Sequence, residues 1–306
     1  MSNNKMVSAI IIALIVTAAA PMIPSASATD SNAIMYHLDL NHTTSFWGIP
    51  MDCEWNTSGW HIRAAIAHLC DKEWLVDMVG IPSAIVIDNP VPKISNLYPA
   101  WYLIWTPNLL RKADPLHGST AISLYNNVHG APDIYEARDH FIAAGGIGND
   151  GLPWHDYDDD GRIDNPPTSQ VEFIALNPAE APLMWEMATT IHQLIEYVFN
   201  DADVVSLVEC TWLEIVYRLF YNTGPDDWQI HFGVNVGSLI LPTTPPPYFL
   251  EDLYHSNGVL NYVFYSNPEY DDCFVTPPPF NPARAMQAQR IFGETIGTIP
   301  IYCMAI

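Results

Sequence analysis

The sequence predicts an α/β lobe built on a mixed sheet, and three observations predict it. From Val171 onward, segments alternate in the order strand, helix, strand, helix, strand, helix, helix, strand. "WQIHFGVNV" alternates with a period of two. Trp228, Ile230, Phe232, Val234 and Val236 share one face and Gln229, His231, Gly233 and Asn235 the other, which predicts a half-buried strand. The intervening helices carry start signals: Thr211 and Glu214 form a capping box ahead of "WLEIVYRLFYN".

Each element can be justified in order. "AIMYHLDL" is a strand, followed by a polar stretch to Asn56. "WHIRAAIAHL" sets Ile62, Ala65, Ile66 and Leu69 on one helical face, and "DKEWLVDMVG" is a second short helix stopped by Gly80. Prolines punctuate an apolar, irregular segment from Ile81 to Leu116. "DIYEARDHFIAAGG" opens on Asp133 with Glu136 three residues on, and stops at a double glycine. Its Ile134, Ala137, Phe141 and Ile142 face one way. "VEFIAL" is a strand. Leu183 to Asn200 is an amphipathic helix with Met184, Met187, Ile191, Leu194, Ile195 and Val198 as its buried stripe. "DVVSLVEC" is a strand. A proline-rich loop, "LPTTPPP", leads to the short helix "YFLEDLYH". "NPARAMQAQRIFGET" is a helix with Asn281 at its cap and Pro282 at N1, and "TIPIYCMAI" is a terminal strand. There is no internal repeat.

Composition narrows the function. The 306 residues are 49% apolar, enough for a sizeable core. Acidic residues number 34 against 11 basic ones. Nucleic-acid backbone and anionic membrane surfaces both need a basic patch, so both are disfavoured as partners. At the N-terminus Lys5 precedes an apolar run from Met6 to Ala20, then Pro21 and Pro24, and "SASAT" offers a cleavage site after Ala28. This predicts an export signal over residues 1–28, with an uncleaved anchor as the alternative. Cys53, Cys70, Cys210, Cys273 and Cys303 are odd in number and widely spaced. That argues against a zinc ribbon or a dense disulfide framework and leaves one or two disulfides or five buried thiols open. Asn41 and Asn56 head glycosylation sequons, which occur often by chance.

"HDYDDDGRIDN", His155 to Asn165, carries the densest chemistry. Asp156, Asp158 and Asp160 occupy positions 1, 3 and 5 of a D-x-D-x-D-G pattern, and Gly161 takes the turn. Arg162 offers its backbone carbonyl at position 7, Ile163 anchors position 8, and Asp164 stands at 9. This spacing converges hard oxygens as calcium requires. The bidentate Glu expected at position 12 is replaced by Pro167, so Glu172 or a water would complete the shell. The loop is therefore expected to take structural Ca2+, with a solvated acidic turn as the alternative. No nucleophile elbow, zinc-protease or phosphate-loop motif is present. His61 and His68 stand seven apart on one helix face, a spacing compatible with ligands; surface or satisfied histidines are the plainer reading. Nothing demands an enzyme.

Several stretches resemble one family. "HIRAAIAHLCDKEWLV" resembles the "vRqAiahLidre.iv" helix pair of family 5 extracellular solute-binding proteins, with Arg63, Ala65 and Asp71 matching. "YEARDHFIAAGG", "VECTWLEIVYRLF" and "AMQAQRIFGETIGTIPIYCMAI" resemble later segments in consistent order. "DLYHSNGVLNYVFYSNPEYDD" is the sharpest match, to "lfhS…gNy.gYsNpe.D". These proteins are the peptide, dipeptide and nickel receptors of ABC importers.

The resemblance implies a periplasmic-binding-protein-like lobe with a mixed sheet and with the family's N-terminal lobe largely missing. It implies a hinge-proximal remnant over 29–132 and a C-terminal solute-binding lobe over 133–306. It also implies capture of a peptide-like or other small solute outside the membrane, delivery to an ABC permease, and no chemical transformation. Loops at strand ends would face the solute, which implies contacts from Trp212, Tyr248, His255, Asn261 and Tyr265; packing is the plainer reading of each. The acid that often precedes the "lfhS" helix in peptide-binding members has no counterpart in "LILPTTPPP". A secreted calcium-dependent hydrolase, or a remnant without solute affinity, are the alternatives.

Overall fold

The computed structural model describes residues 33–87, 115–116, 132–221, 228–236, 248–274 and 282–305. The expected export signal, the "LPTTPPP" loop and the Asn281 cap lie outside them.

Eight strands and eight helices are described. They are β1 (Ala33–Leu40), β2 (Ser45–Phe46), β3 (Ile49–Pro50), α1 (Ser58–Leu69), α2 (Lys72–Val79), β4 (Ile85–Val86), α3 (Ile134–Ala144) and β5 (Val171–Leu176). Then come α4 (Pro182–Phe199), β6 (Val205–Cys210), α5 (Trp212–Phe220), β7 (Ile230–Val236), α6 (Tyr248–Tyr254), α7 (Pro268–Asp271), α8 (Pro282–Thr295) and β8 (Thr298–Ala305). The caps are those the sequence announces. Thr211 accepts from the Glu214 amide while Glu214 reaches back, closing the capping box. Asp133 caps α3, and Gly80 and Gly145 end α2 and α3 in the left-handed region. The hairpin β2–β3, strand β4 and helix α7 are too short for periodicity to reveal.

Six strands form one mixed sheet in the order β4-β8-β1-β7-β5-β6. β5 pairs parallel with β6 and β7, whereas β1 pairs antiparallel with β7 and β8. Against β8 the register shifts between Tyr36 and His37, opposite Pro300, a residue with no amide to give a ladder. The boundary expected at 132/133 does not divide this sheet: β1, from the earlier segment, is its third strand.

β7 corrects a second expectation. Ile230 and Phe232 are buried as expected, yet His231 and Gly233 on the other face are buried too. Asp39 is the reason. It lies opposite His231 in the β1–β7 ladder, and its carboxylate accepts from His37 Nδ1 (2.8 Å), His231 Nδ1 (3.1 Å) and Tyr262 Oη (2.8 Å). A polar strand face can be buried when its polar groups satisfy one another.

The helices pack on this frame. α4 buries Met184, Met187, Ile191, Ile195 and Val198 of the stripe read from sequence, while its Leu194 is only partly buried. Each buried member contributes about 1.5–3 kcal/mol relative to exposure. α1 is buried on every side, including His61, Arg63 and His68, so its two histidines are interior groups. The "AGG" stop of α3 divides into two roles. Gly145 supplies φ +77°, and a Cβ on Gly146 would stand 2.3 Å from the Trp154 ring. That ring packs with Trp47, Phe141 and Phe199. All five cysteines are buried free thiols, which decides against disulfides. Asn41 is fully buried, donating to the Trp228 carbonyl, so its sequon is a chance match; Asn56 is exposed.

Candidate functional sites

The acidic loop joins the end of α3 to β5. Its base is held by Asn165, whose Nδ2 donates to Asp150 Oδ1 and to the carbonyls of Leu152 and Pro153. Its Oδ1 accepts the His155 amide at 3.0 Å. Ile163 is fully buried, and its amide donates to the Val198 carbonyl at the end of α4. The apolar anchor therefore sits where the spacing put it.

Within the loop Asp156 organises the backbone. It accepts from the amides of Asp159 (2.7 Å) and Gly161 (3.0 Å). Gly161 has φ +90°, so the glycine is a conformational requirement. The Asp164 carboxylate accepts the Tyr157 amide and that of Asp158 the Asp160 amide. Carboxylate oxygens of Asp156, Asp158 and Asp164 lie within 4.8 Å of one another. Asp160 is drawn away into an ion pair with the Arg162 guanidinium. Pro167 is buried, and Glu172 pairs with Arg218 of α5.

A protein cation already stands in the loop. Arg138 of α3 donates from Nη1 to Asp156 Oδ2 and Asp159 Oδ1, both at 2.7 Å, and also pairs with Asp139. Burial acts to raise the pKa of Asp156, but the Arg138 bond and the Gly161 and Asp159 amides outweigh it and hold the group below the usual carboxylate range. No sequence signal announced Arg138, because it lies 18 residues before its partner.

The five residues expected to meet a solute do not form one wall. Asn261 and Tyr265 work inside the lobe. Asn261 Nδ2 donates to the carbonyls of His255 and Tyr265, and its Oδ1 accepts the Tyr265 amide. Tyr265 is fully buried, shares a hydrogen bond with Thr295 Oγ1 and packs edge-on against Phe292 and Tyr270. His255 accepts the Asn257 amide and faces Asp271 at 3.8 Å. The Tyr248 side chain lies outside the described residues. Trp212 opens α5, partly buried, with its amide donating to Glu180. Its indole N–H is buried without a hydrogen-bond partner among the described residues.

Beside Tyr265, a buried polar junction escaped the sequence reading. His42 directs Nδ1 to the Asp52 carbonyl (3.0 Å) and Nε2 to the Gly297 carbonyl (2.8 Å). Two carbonyls require two N–H donors, which only the imidazolium has. Burial pushes its pKa down, but the neighbouring Cys53 and the Gly297 carbonyl together outweigh it, and the net shift is upward.

No family model matches the chain, and no curated protein matches it. Solved structures do. The oligopeptide-binding protein AppA of Bacillus subtilis, in complex with a nonapeptide, superposes with a TM-score of 0.58 at 16% identity. The match covers 90% of this chain and 46% of that one. The Escherichia coli murein tripeptide binding protein MppA gives 0.60 at 14% identity, over 95% of this chain and 46% of its own. A peptide-binding protein of a peptide ABC transporter gives 0.53 at 13%, over 89% of this chain and 99% of its own. The chain thus spans just under half the length of the first two. What it shares with all three is a fold, and that fold is the mixed-sheet α/β architecture of the family 5 extracellular solute-binding proteins.

Proposed function

We propose that the chain is the extracytoplasmic solute-binding component of an ABC importer, taking a peptide-like or other small solute and passing it to a membrane permease without transforming it. The observation that carries this reading is the shared fold, which runs through nine-tenths or more of the chain in proteins that bind peptides. The ordered sequence resemblance from Trp60 onward supports it independently. Among the described residues no helix is long and apolar enough to cross a membrane, which suits a receptor working beside a permease.

Solute recognition here does not rest on a buried acid paired with a peptide amine. Of the fully buried carboxylates, Asp39 is taken by His37, His231 and Tyr262, and Asp71 caps α2 through the Trp74 amide. Of the five expected contacts, Trp212 retains an unspent donor. The test is mass spectrometry of solute released from the purified full chain, followed by calorimetry with a peptide panel. A released peptide-like solute, bound equally well when its amine is acetylated, is the expected result. No released solute and no heat with any member of the panel would leave the remnant reading.

The acidic loop suits a second role. The approach of Asp156, Asp158 and Asp164 favours Ca2+ as a structural brace, entering where Arg138 now neutralises the carboxylates.

A further inference from the structure

A different cluster lies where the end of α1 meets the start of α3. His61 and His68 stand two turns apart on α1, and Glu136 and His140 one turn apart on α3. The Asp133 amide donates to the His68 carbonyl at 3.2 Å, which locks the two helix ends together. His68 is fully buried, with Nδ1 3.1 Å from Glu136 Oε2. The His140 ring stacks on His68 with centroids 5.3 Å apart, and His61 Nδ1 lies 2.9 Å from His140 Nδ1. Asp133 accepts the Glu136 amide on Oδ1 as the α3 cap.

We infer that His68, Asp133 and Glu136 form a binding site for a divalent late transition-metal ion, zinc before others, with His140 and His61 packed behind it. One ligand atom from each of the three residues lies within 4.8 Å of the other two. A simple ion pair would need one carboxylate beside the imidazole, and here two converge. A divalent ion would balance the two carboxylates.

Donor chemistry selects the ion. Calcium and magnesium take shells of oxygen, and an imidazole nitrogen fits them poorly. One nitrogen and two carboxylate oxygens suit zinc, at about 2.0–2.2 Å each. A tetrahedral ion with ligands at about 2.0 Å sets those ligands about 3.3 Å apart. His68 Nδ1 and Glu136 Oε2, 3.1 Å apart, stand close to that separation. Glu136 is partly exposed, so the ion has a way in, and water would take the fourth position. The role assigned is a clamp between α1 and α3, independent of the solute reading.

Cobalt(II) substitution tests this on the full chain after chelator treatment. The expected result is one equivalent bound, with the intense visible bands of four-coordinate cobalt and displacement by zinc. Glu136→Gln, at a partly exposed position, should weaken binding at least about tenfold. Asp133→Asn should do likewise while keeping the cap, since Asn also accepts the amide. Asp156→Asn in the acidic loop should leave the bands unchanged. A folded protein with no visible bands and no retained zinc would overturn the site, as would bands lost in Asp156→Asn but kept in Glu136→Gln.

Discussion

Arg63 Nε donates to the carbonyl oxygen of Thr295 across 3.0 Å, and this bond joins the middle of α1 to the last turn of α8. The same guanidinium donates to the carbonyls of Glu54, at 3.0 Å, and Asp52. Trp60 Nε1 reaches the Glu294 carbonyl at 2.8 Å. The last carbonyls of a helix have no partner within it, so side chains from α1 complete the end of α8. Arg63→Leu would leave three carbonyl bonds unmade and should cost about 3–5 kcal/mol. Arg63→Lys should lie between, since an ammonium cannot reproduce the fork. Urea unfolding monitored by circular dichroism measures both, and a loss below 1 kcal/mol in Arg63→Leu would contradict the assignment.

The acidic loop should respond to calcium through Asp156. Binding to the folded chain alone adds ~2.7 kcal/mol at a hundredfold excess over the dissociation constant. Asp156→Ala should abolish that gain. Arg138→Met should lower stability without calcium and enlarge the calcium effect, because it removes the resident cation. Gly161→Val should cost about 1–3 kcal/mol through its positive φ. A melting curve indifferent to calcium and chelator would assign the loop to Arg138 alone.

Asp39 should make the fold acid-sensitive at an unusually low pH. Burial raises its pKa, but the charge of His37 and the bonds from His231 and His37 outweigh it and hold the group down at about 2. A folded value below the unfolded one gives stability that is fully present above about pH 4 and lost as pH falls through about 2. The amount is on the order of 2 kcal/mol. Asp39→Asn should remove that acid-dependent loss, which unfolding curves between pH 2 and 5 would show.

His42 should act on the other side of neutrality. Its folded pKa lies above 6.5, so its contribution is present below that value and is lost as pH rises through the folded one. Cys53, whose burial is outweighed by His42 so that its thiol is drawn down, carries the complementary effect. Cys53→Ser removes the titratable sulfur and leaves burial dominant, so the His42 ring should titrate at lower pH than in the parent. NMR titration of the ring proton checks this; an unchanged midpoint would contradict the pairing.

Local signals were legible and distant ones were not. Thr211, Asp133, Gly80 and Gly145 act within one helical turn, so their roles could be read from spacing alone. Ile163 of the acidic loop was placed the same way. Asn261 and Tyr265 were chosen for polar tips and aromatic faces, but those tips are bound inside the lobe, to partners as far as Thr295. Residue type shows what a group can offer, not whether a neighbour has already taken it.

The sequence by itself determined the alternation of elements, their caps, and the glycine-centred loop, because each depends on contacts within a few residues. Only the tertiary structure decided that β1 lies inside the sheet, that Asp39 buries the polar face of β7, and that Arg138 enters the acidic loop. It alone brought His68 beside Asp133 and Glu136. Those meetings join residues from 18 to more than 220 positions apart, and over such distances local preference leaves many pairings equivalent until packing selects one.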